Sequence, residues 1–375
     1  MTPYLWLQTL YLGLSFGIVA ALWSVAGRSA SLRASATRRT AFVAGVLAVV
    51  SGLAIALLTT FHEPHSTYRF TVIAFDYYAA MLWLPASAWL AMAKARRVER
   101  PLAAVLVLCT LGGAYALFVE PNRMQIVERR LALDAWPPGS PALRVVHVSD
   151  LQTVGPNERQ RLAALSIDAL EPDLIVVTGD FISGPFWDVE PALGAAREFF
   201  ASLHARLGIV VVDGHAEREQ DRERLFAGLD VRYLRNEWTR FDLGDGRTLA
   251  LYGVRTANPD FAPLAEPRAS GELRVFLSHV PDLSLELDGR GVDLHLAGHT
   301  HGGQIRIPGF GPPMTLSELP RKFARGLHRF GDHWLHVSPG IGMEGHHAPR
   351  IRFFCPPEID LLLLEGGEPE LAARQ

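Results

Sequence analysis

Cysteine is nearly absent from this chain: two residues in 375, Cys109 in an apolar run and Cys355 near the C-terminus. Two thiols so far apart do not make a disulfide framework, and they say little about the compartment. An excess of positive charge is also missing. Lysine and arginine number 36 against 39 acids, a formal net charge of -3, so the chain lacks the electrostatic footprint of a nucleic-acid binder. No cationic side chain stands in Met1-Thr2-Pro3-Tyr4 ahead of the first apolar run, which makes that run a poor signal peptide. Internal repeats and low-complexity tracts are absent too, so neither a repeat array nor a biased tail is expected.

What is present is unevenly spread. Hydrophobic residues make up 49% of the chain, and residues 1 to about 120 read as membrane. Four apolar segments, 4–26, 41–61, 70–92 and 102–118, each approach the roughly 20 residues that cross a bilayer core. Loop 27–40 carries Arg28, Arg33, Arg38 and Arg39, and loop 93–101 carries Lys94, Arg96, Arg97 and Arg100. The positive-inside rule puts both loops in the cytoplasm, so four crossings leave everything after residue 120 outside it. The segments lack paired charges across their centres, which leaves a transporter or receptor reading little to rest on.

Residues 121–142 are expected to be a linker, ending in Trp136-Pro137-Pro138-Gly139-Ser140-Pro141, too rich in proline and glycine for a regular element. From 143 to 375 the pattern is that of an α/β domain. Apolar runs at 143–148, 173–177 and 209–212 predict strands, and 157–170 and 191–207 predict helices between them. Shorter strands are expected beyond residue 230: a hairpin over 241–254 turning at Gly244-Asp245-Gly246, then runs at 275–277, 292–296, 334–337 and 359–364.

The stretch that organises the chain is Ala297-Gly298-His299-Thr300-His301-Gly302-Gly303-Gln304. His299 and His301 are two apart, so extended backbone turns both imidazoles to one side. Asp150, Asp180, His215 and His279 also stand at the ends of strand runs. In open α/β sheets that is where ligands bind. Any one of them could be a turn or capping residue; together they suggest metal ligation. Mixed carboxylate and imidazole donors suit zinc, manganese or iron, and a bridging carboxylate can hold two ions about 4 Å apart.

Residues 143–365 resemble the calcineurin-like metallophosphoesterases, and more narrowly their membrane-anchored bacterial branch. The stretches that carry the likeness are Val146-His147-Val148-Ser149-Asp150-Leu151-Gln152, Pro172–Asp180, Leu277-Ser278-His279-Val280-Pro281-Asp282, Ala297–Gln304 and Cys355-Pro356-Pro357-Glu358-Ile359. The resemblance implies N-terminal multi-pass transmembrane helices followed by an α/β domain, a β-sandwich flanked by helices. It also implies two divalent metal ions and hydrolysis of a phosphoester, with membrane proximity favouring a lipid-linked phosphate. By the resemblance Asp150 and His301 ligate the first metal, Asp180 bridges, and His279 and His299 ligate the second. Asp150, Asp180 and His215 form the implied catalytic group.

Two positions depart from the family pattern. Gln152 stands where a histidine ligand is usual. Gly214-His215-Ala216-Glu217 stands where the family has Gly-Asn-His followed by an acid. Aligned directly, His215 replaces the asparagine ligand and Ala216 replaces the histidine that helps stabilise the transition state. Shifted by one, His215 is that histidine. The strand before it and Glu217 favour the direct alignment. These departures also motivate an alternative, a degenerate phosphoesterase that binds a phosphorylated ligand or organises a membrane complex. The basic run Arg321, Lys322, Arg325 and Arg329 is expected to be a solvated surface, with anionic-headgroup contact as its functional reading.

Overall fold

The computed structural model describes residues 28, 43, 108, 111–183, 189–344 and 350–367. The chain divides into two units, one of residues 1–119 with 345–351 and one of 120–344 with 352–375. Of the four apolar segments expected to cross a membrane, the first and third lie outside the described residues, the second does so except at residue 43, and the fourth is described only at 108 and 111–118. No helix among the described residues is long and apolar enough to cross one.

The second unit begins with β1 (Gln125–Leu133), β2 (Leu143–Val148), α1 (Glu158–Asp168), β3 (Leu174–Thr178), α2 (Glu190–Ala201), β4 (Ile209–Val212), α3 (Glu219–Phe226) and β5 (Val231–Tyr233). It continues with β6 (Glu237–Gly244), β7 (Arg247–Gly253), β8 (Glu272–Leu277), β9 (Leu294–Ala297), β10 (Gly326–Phe330), β11 (His333–Val337) and β12 (Glu358–Gly366). Two six-stranded sheets result, ordered β1-β12-β2-β3-β4-β5 and β10-β11-β9-β8-β7-β6. Strands β2 to β5 run parallel, as do β7, β8, β9 and β11. This is the helix-flanked sandwich expected from the sequence.

The period of two along each strand explains the layering. Val145, Val176 and Val210 face Leu251, Val275 and Leu296 of the other sheet in one buried cluster. Val146, Val148, Val177 and Val211 face the opposite way, onto Ile167, Phe200 and Leu225 of the three helices. Both faces of β3 and β4 are therefore apolar, which is why those strands read as hydrophobic runs, whereas Arg144 and His147 interrupt β2.

Two expectations need correction. The linker over 121–142 contains β1, nine residues paired in parallel with β12. Only its tail is irregular, and Trp136 there is almost fully buried. The alternating Glu128-Arg129-Arg130 charges hide an edge strand from a hydrophobicity search. The helix over 191–207 stops at Ala201, because the chain turns back and Leu207 N–H donates to Asp173 O at 2.7 Å. In α1, Leu162 and Leu165 are exposed, whereas Ala163, Ala164 and Ile167 are buried; small alanines let the helix lie close to the sheet.

Candidate metal centre

Strands β2, β3 and β4 of one sheet and β8 and β9 of the other deliver their carboxyl ends to one place. The loops leaving them carry Asp150, Asp180, His215, His279, and His299 with His301. Backbone bonds hold neighbouring loops together: Asp150 N–H donates to Gly179 O at 3.1 Å, Gln152 N–H to Asp180 O at 2.9 Å, and Gly298 N–H to His279 O at 3.0 Å. Side chains then tie one loop to another. His299 N–H donates to Asp150 Oδ2 at 3.0 Å, and the N–H groups of His215 and Ala216 donate to Asp180 Oδ1 at 2.7 and 2.9 Å.

Six residues of these loops hold left-handed backbone: Asp150, Gln152, Asp180, His299, His301 and Gln304, with φ of 51, 45, 53, 69, 49 and 52°. For residues with a Cβ such conformations cost about 1–3 kcal/mol each, and they gather at functional sites.

The imidazoles are oriented by their outer nitrogens. His279 Nδ1 donates to Thr178 O at 2.8 Å, which leaves Nε2 facing Asp180 Oδ2 at 3.4 Å. His299 Nε2 donates to Leu316 O at 3.1 Å, which leaves Nδ1 only 3.2 Å from His279 Nε2. This is the tautomer control of metal-binding histidines: one nitrogen pinned to a carbonyl, the other presented. His301 Nε2 lies 3.3 Å from Asp150 Oδ1. Its buried Nδ1 has no hydrogen-bond partner among the described residues.

Three groups of donor atoms lie within 4.8 Å of one another: His215, His279 and His299; Asp150, Asp180 and His279; and Asp180, His301 and Glu344. All seven residues expected from the sequence are brought together, and Glu344 joins them. Gln152 joins them as a hydrogen-bond donor. Its amide nitrogen donates to Asp180 Oδ2 at 2.8 Å and Glu344 Oε2 at 3.1 Å. Two carboxylates within reach turn the N–H₂ toward them, so the amide nitrogen serves as a donor. Glu344 supplies an anionic donor where the sequence reading placed Gln152.

Glu344 escaped notice because its loop carries no strand-end signal, only an acid near glycines in Gly342-Met343-Glu344-Gly345. Arg352 fixes that loop. It is fully buried and donates to the carbonyls of Pro339, Gly340 and Gly342, and to those of Cys355 and Pro356. The loop so held passes Asp150, with Gly342 N–H donating to Asp150 O at 2.7 Å.

The protonation pattern fits a cation. Burial opposes charge on His279, but the Asp180 carboxylate beside it outweighs burial and pushes it up to about 10. Burial would likewise raise Asp180, yet His279 holds it well below the usual carboxylate range. Burial raises Asp150 to about 7 against the pull of His279. Burial, then the neighbouring His279, lowers His299 to about 3. A proton on His279 thus offsets charge where two imidazole lone pairs and two carboxylates converge, the electrostatic place of a metal ion. Ligation requires deprotonated donors. Loading the metal-free protein at pH 7 should therefore release about one and a half protons, one from His279 and about half from Asp150, and affinity should fall as pH is lowered. Titration calorimetry in two buffers of unequal ionisation enthalpy reads that number; no release would place the cation elsewhere.

Residues 143–303 match the family model of the calcineurin-like phosphoesterases. The chain carries a calcineurin-like metallophosphoesterase domain. Among its relatives is the uncharacterized metallophosphoesterase YkuE of Bacillus subtilis, 28% identical over 271 residues, 68% of this chain and 92% of that one. The phosphodiesterase YaeI of Escherichia coli is 25% identical over 281 residues, 70% of this chain and 96% of its own. The UDP-2,3-diacylglucosamine pyrophosphatase LpxG of Chlamydia trachomatis is 26% identical over 326 residues, 71% and 96%. As a calcineurin-like metallophosphoesterase, the chain is a metal-dependent phosphoester hydrolase.

Proposed function

We propose that this protein is a membrane-anchored phosphodiesterase working through two divalent ions of the zinc, manganese or iron class on a lipid-linked phosphate. One observation carries the dinuclear reading: Asp180 belongs to two donor groups at once, with Asp150 and His279 in one and with His301 and Glu344 in the other. Asp150, His301 and Glu344 would hold one ion, His215, His279 and His299 the second, and Asp180 both. When bound, such ions supply Lewis-acid stabilisation of phosphoryl charge and lower the pKa of water to about 7.

The chain's own residues do the rest. Thr178 O and Leu316 O orient His279 and His299. Gln152 spans Asp180 and Glu344 and keeps the two carboxylates in place. Burial of Asp150, Asp180, His279 and His301 excludes solvent from the donor side, while exposed His215 marks the side open to substrate. The degenerate reading rested partly on Gln152, and the anionic Glu344 beside it weighs against that part. Lipid linkage is supported by the apolar segments and by the Chlamydia relative, whose name gives a diacylated substrate. The full chain should hydrolyse bis(p-nitrophenyl) phosphate, lose the activity on chelation and regain it with added zinc or manganese. A metal-loaded chain inert toward every phosphodiester would overturn the proposal.

The direct alignment assigns His215 a ligand's role. Its ring lies 5.4 Å from that of His279 and 5.1 Å from that of His299, centroid to centroid. His215→Ala should lose about half of the bound metal as well as turnover, since it removes one of three imidazoles from one ion. Full metal content with slowed turnover would instead make His215 a group acting on substrate.

The charge bias of the N-terminal loops supports an extracytoplasmic domain. A reporter active only outside the cytoplasm, fused after residue 140, should be active there. Activity of a cytoplasm-only reporter at that site would contradict the placement.

A further inference from the structure

Beyond the donor loop the chain runs into an apolar projection. Ile307 and Gly311 exchange backbone bonds, N–H to O at 2.9 Å in each direction, closing a tight hairpin with Pro308-Gly309-Phe310 at its tip. The base of the hairpin is anchored: Arg306 N–H donates to Phe353 O at 2.8 Å, and Phe353 N–H donates to Gln304 O at 2.9 Å. Ile307, Phe310, Met314 and neighbouring Phe354 are nevertheless 47, 54, 48 and 53% exposed. Large apolar side chains gathered at an ordered, convex tip mark an interaction surface.

Its charge is one-sided. Residues 304–325 contain four cations, Arg306, Arg321, Lys322 and Arg325, and one acid, Glu318. The Arg321 guanidinium lies 4.3 Å from the centroid of the Phe310 ring, so cation and apolar tip occupy one spot. The surface adjoins the metal centre, because Leu316, on the same loop, accepts the His299 bond. Aromatic and aliphatic tips flanked by cations suit a headgroup layer: apolar groups enter the acyl boundary while cations stay with anionic headgroups.

We infer that the hairpin around Phe310, with Arg321 and Lys322, docks onto an anionic lipid surface and presents the metal centre to substrates held there. The inference rests on the phosphodiesterase reading and adds where the substrate is met.

Two measurements on the full chain test it. In the first, Ile307→Ser/Phe310→Ser is compared with the native protein in detergent micelles containing phosphatidylglycerol. On p-nitrophenyl dodecyl phosphate, kcat/KM should fall about tenfold or more, the scale expected for two lost apolar contacts, while bis(p-nitrophenyl) phosphate turnover stays within about twofold. Equal loss on both substrates, or on neither, overturns the inference. In the second, hydrogen exchange over residues 304–316 is followed in nanodiscs of phosphatidylcholine alone and of phosphatidylcholine with phosphatidylglycerol in equal parts. Protection confined to the anionic discs supports docking; identical exchange in both, or protection only on adding a cell extract, overturns it. If the native chain fails on the soluble diester, the phosphodiesterase reading has failed, and the exchange measurement still decides the docking surface.

Discussion

Asp180→Asn should reduce phosphodiester turnover by about three orders of magnitude or more, a barrier increase of roughly 4 kcal/mol, with little change in Tm. The carboxylate is engaged on every side: Oδ1 accepts from His215 and Ala216, and Oδ2 accepts from Gln152 and faces His279. Asparagine matches it in size and can keep Oδ1 as the acceptor, so the loop over 214–216 stays in place. The substituted amide then points its hydrogens at the Gln152 amide nitrogen and at His279, where a negative charge had stood. Both donor groups that include Asp180 lose their common anion. Metal analysis should show loss at both sites, since neither set keeps its charge balance. Unchanged metal content and unchanged turnover would remove Asp180 from the centre.

Gly298→Ala should be nearly as damaging, by steric means. A Cβ at residue 298 would lie 1.8 Å from Ser149 Oγ and 2.5 Å from Asp150 Oδ2. Neither neighbour is free to retreat. Ser149 Oγ donates to Thr178 O at 2.8 Å, and Asp150 Oδ2 accepts from His299 N–H at 3.0 Å. Relief requires the end of β9 to move away from the end of β2, which separates His299 and His301 from Asp150. Overpacking of this kind costs about 1–3 kcal/mol of stability. A displacement near 1 Å in a catalytic constellation costs about a hundredfold in rate. Gly194→Ala is the control: its Cβ would meet nothing within 4 Å, on an exposed position of α2, and the loss of a helical glycine should raise stability by up to about 1 kcal/mol. Comparable activity loss in both variants would show that Gly298 has no special closeness to the site.

Much of the site was legible because strand ends announce themselves. An apolar run that breaks at a small residue and then a polar one marks both the strand and the loop beyond its carboxyl end: Asp180, His215 and His299 follow a glycine, and Asp150 and His279 follow a serine. What the sequence hid follows from the opposite condition. Strand β1 alternates charge on an edge, where Arg129 reaches the buried acids Glu358 and Asp360 at 2.8 and 3.1 Å, so its partners are more than 200 residues away and its hydropathy is unremarkable. Glu344 sits in an irregular loop whose shape depends on one buried arginine, Arg352. The hydrogen bonds of Gln152 were hidden for a related reason: only the two facing carboxylates, Asp180 and Glu344, decide that its nitrogen points at them. The hairpin at Phe310 was likewise invisible, because exposure of an apolar residue cannot be read from its identity.

Diffraction from crystals of the metal-loaded protein, recorded at the absorption edge of the bound metal, tests the central claim most directly. The account predicts two anomalous peaks roughly 3.5–4 Å apart. Asp180 should lie between them, with Asp150, His301 and Glu344 around one and His215, His279 and His299 around the other. A single peak, or a pair that leaves Asp180 outside, would contradict it.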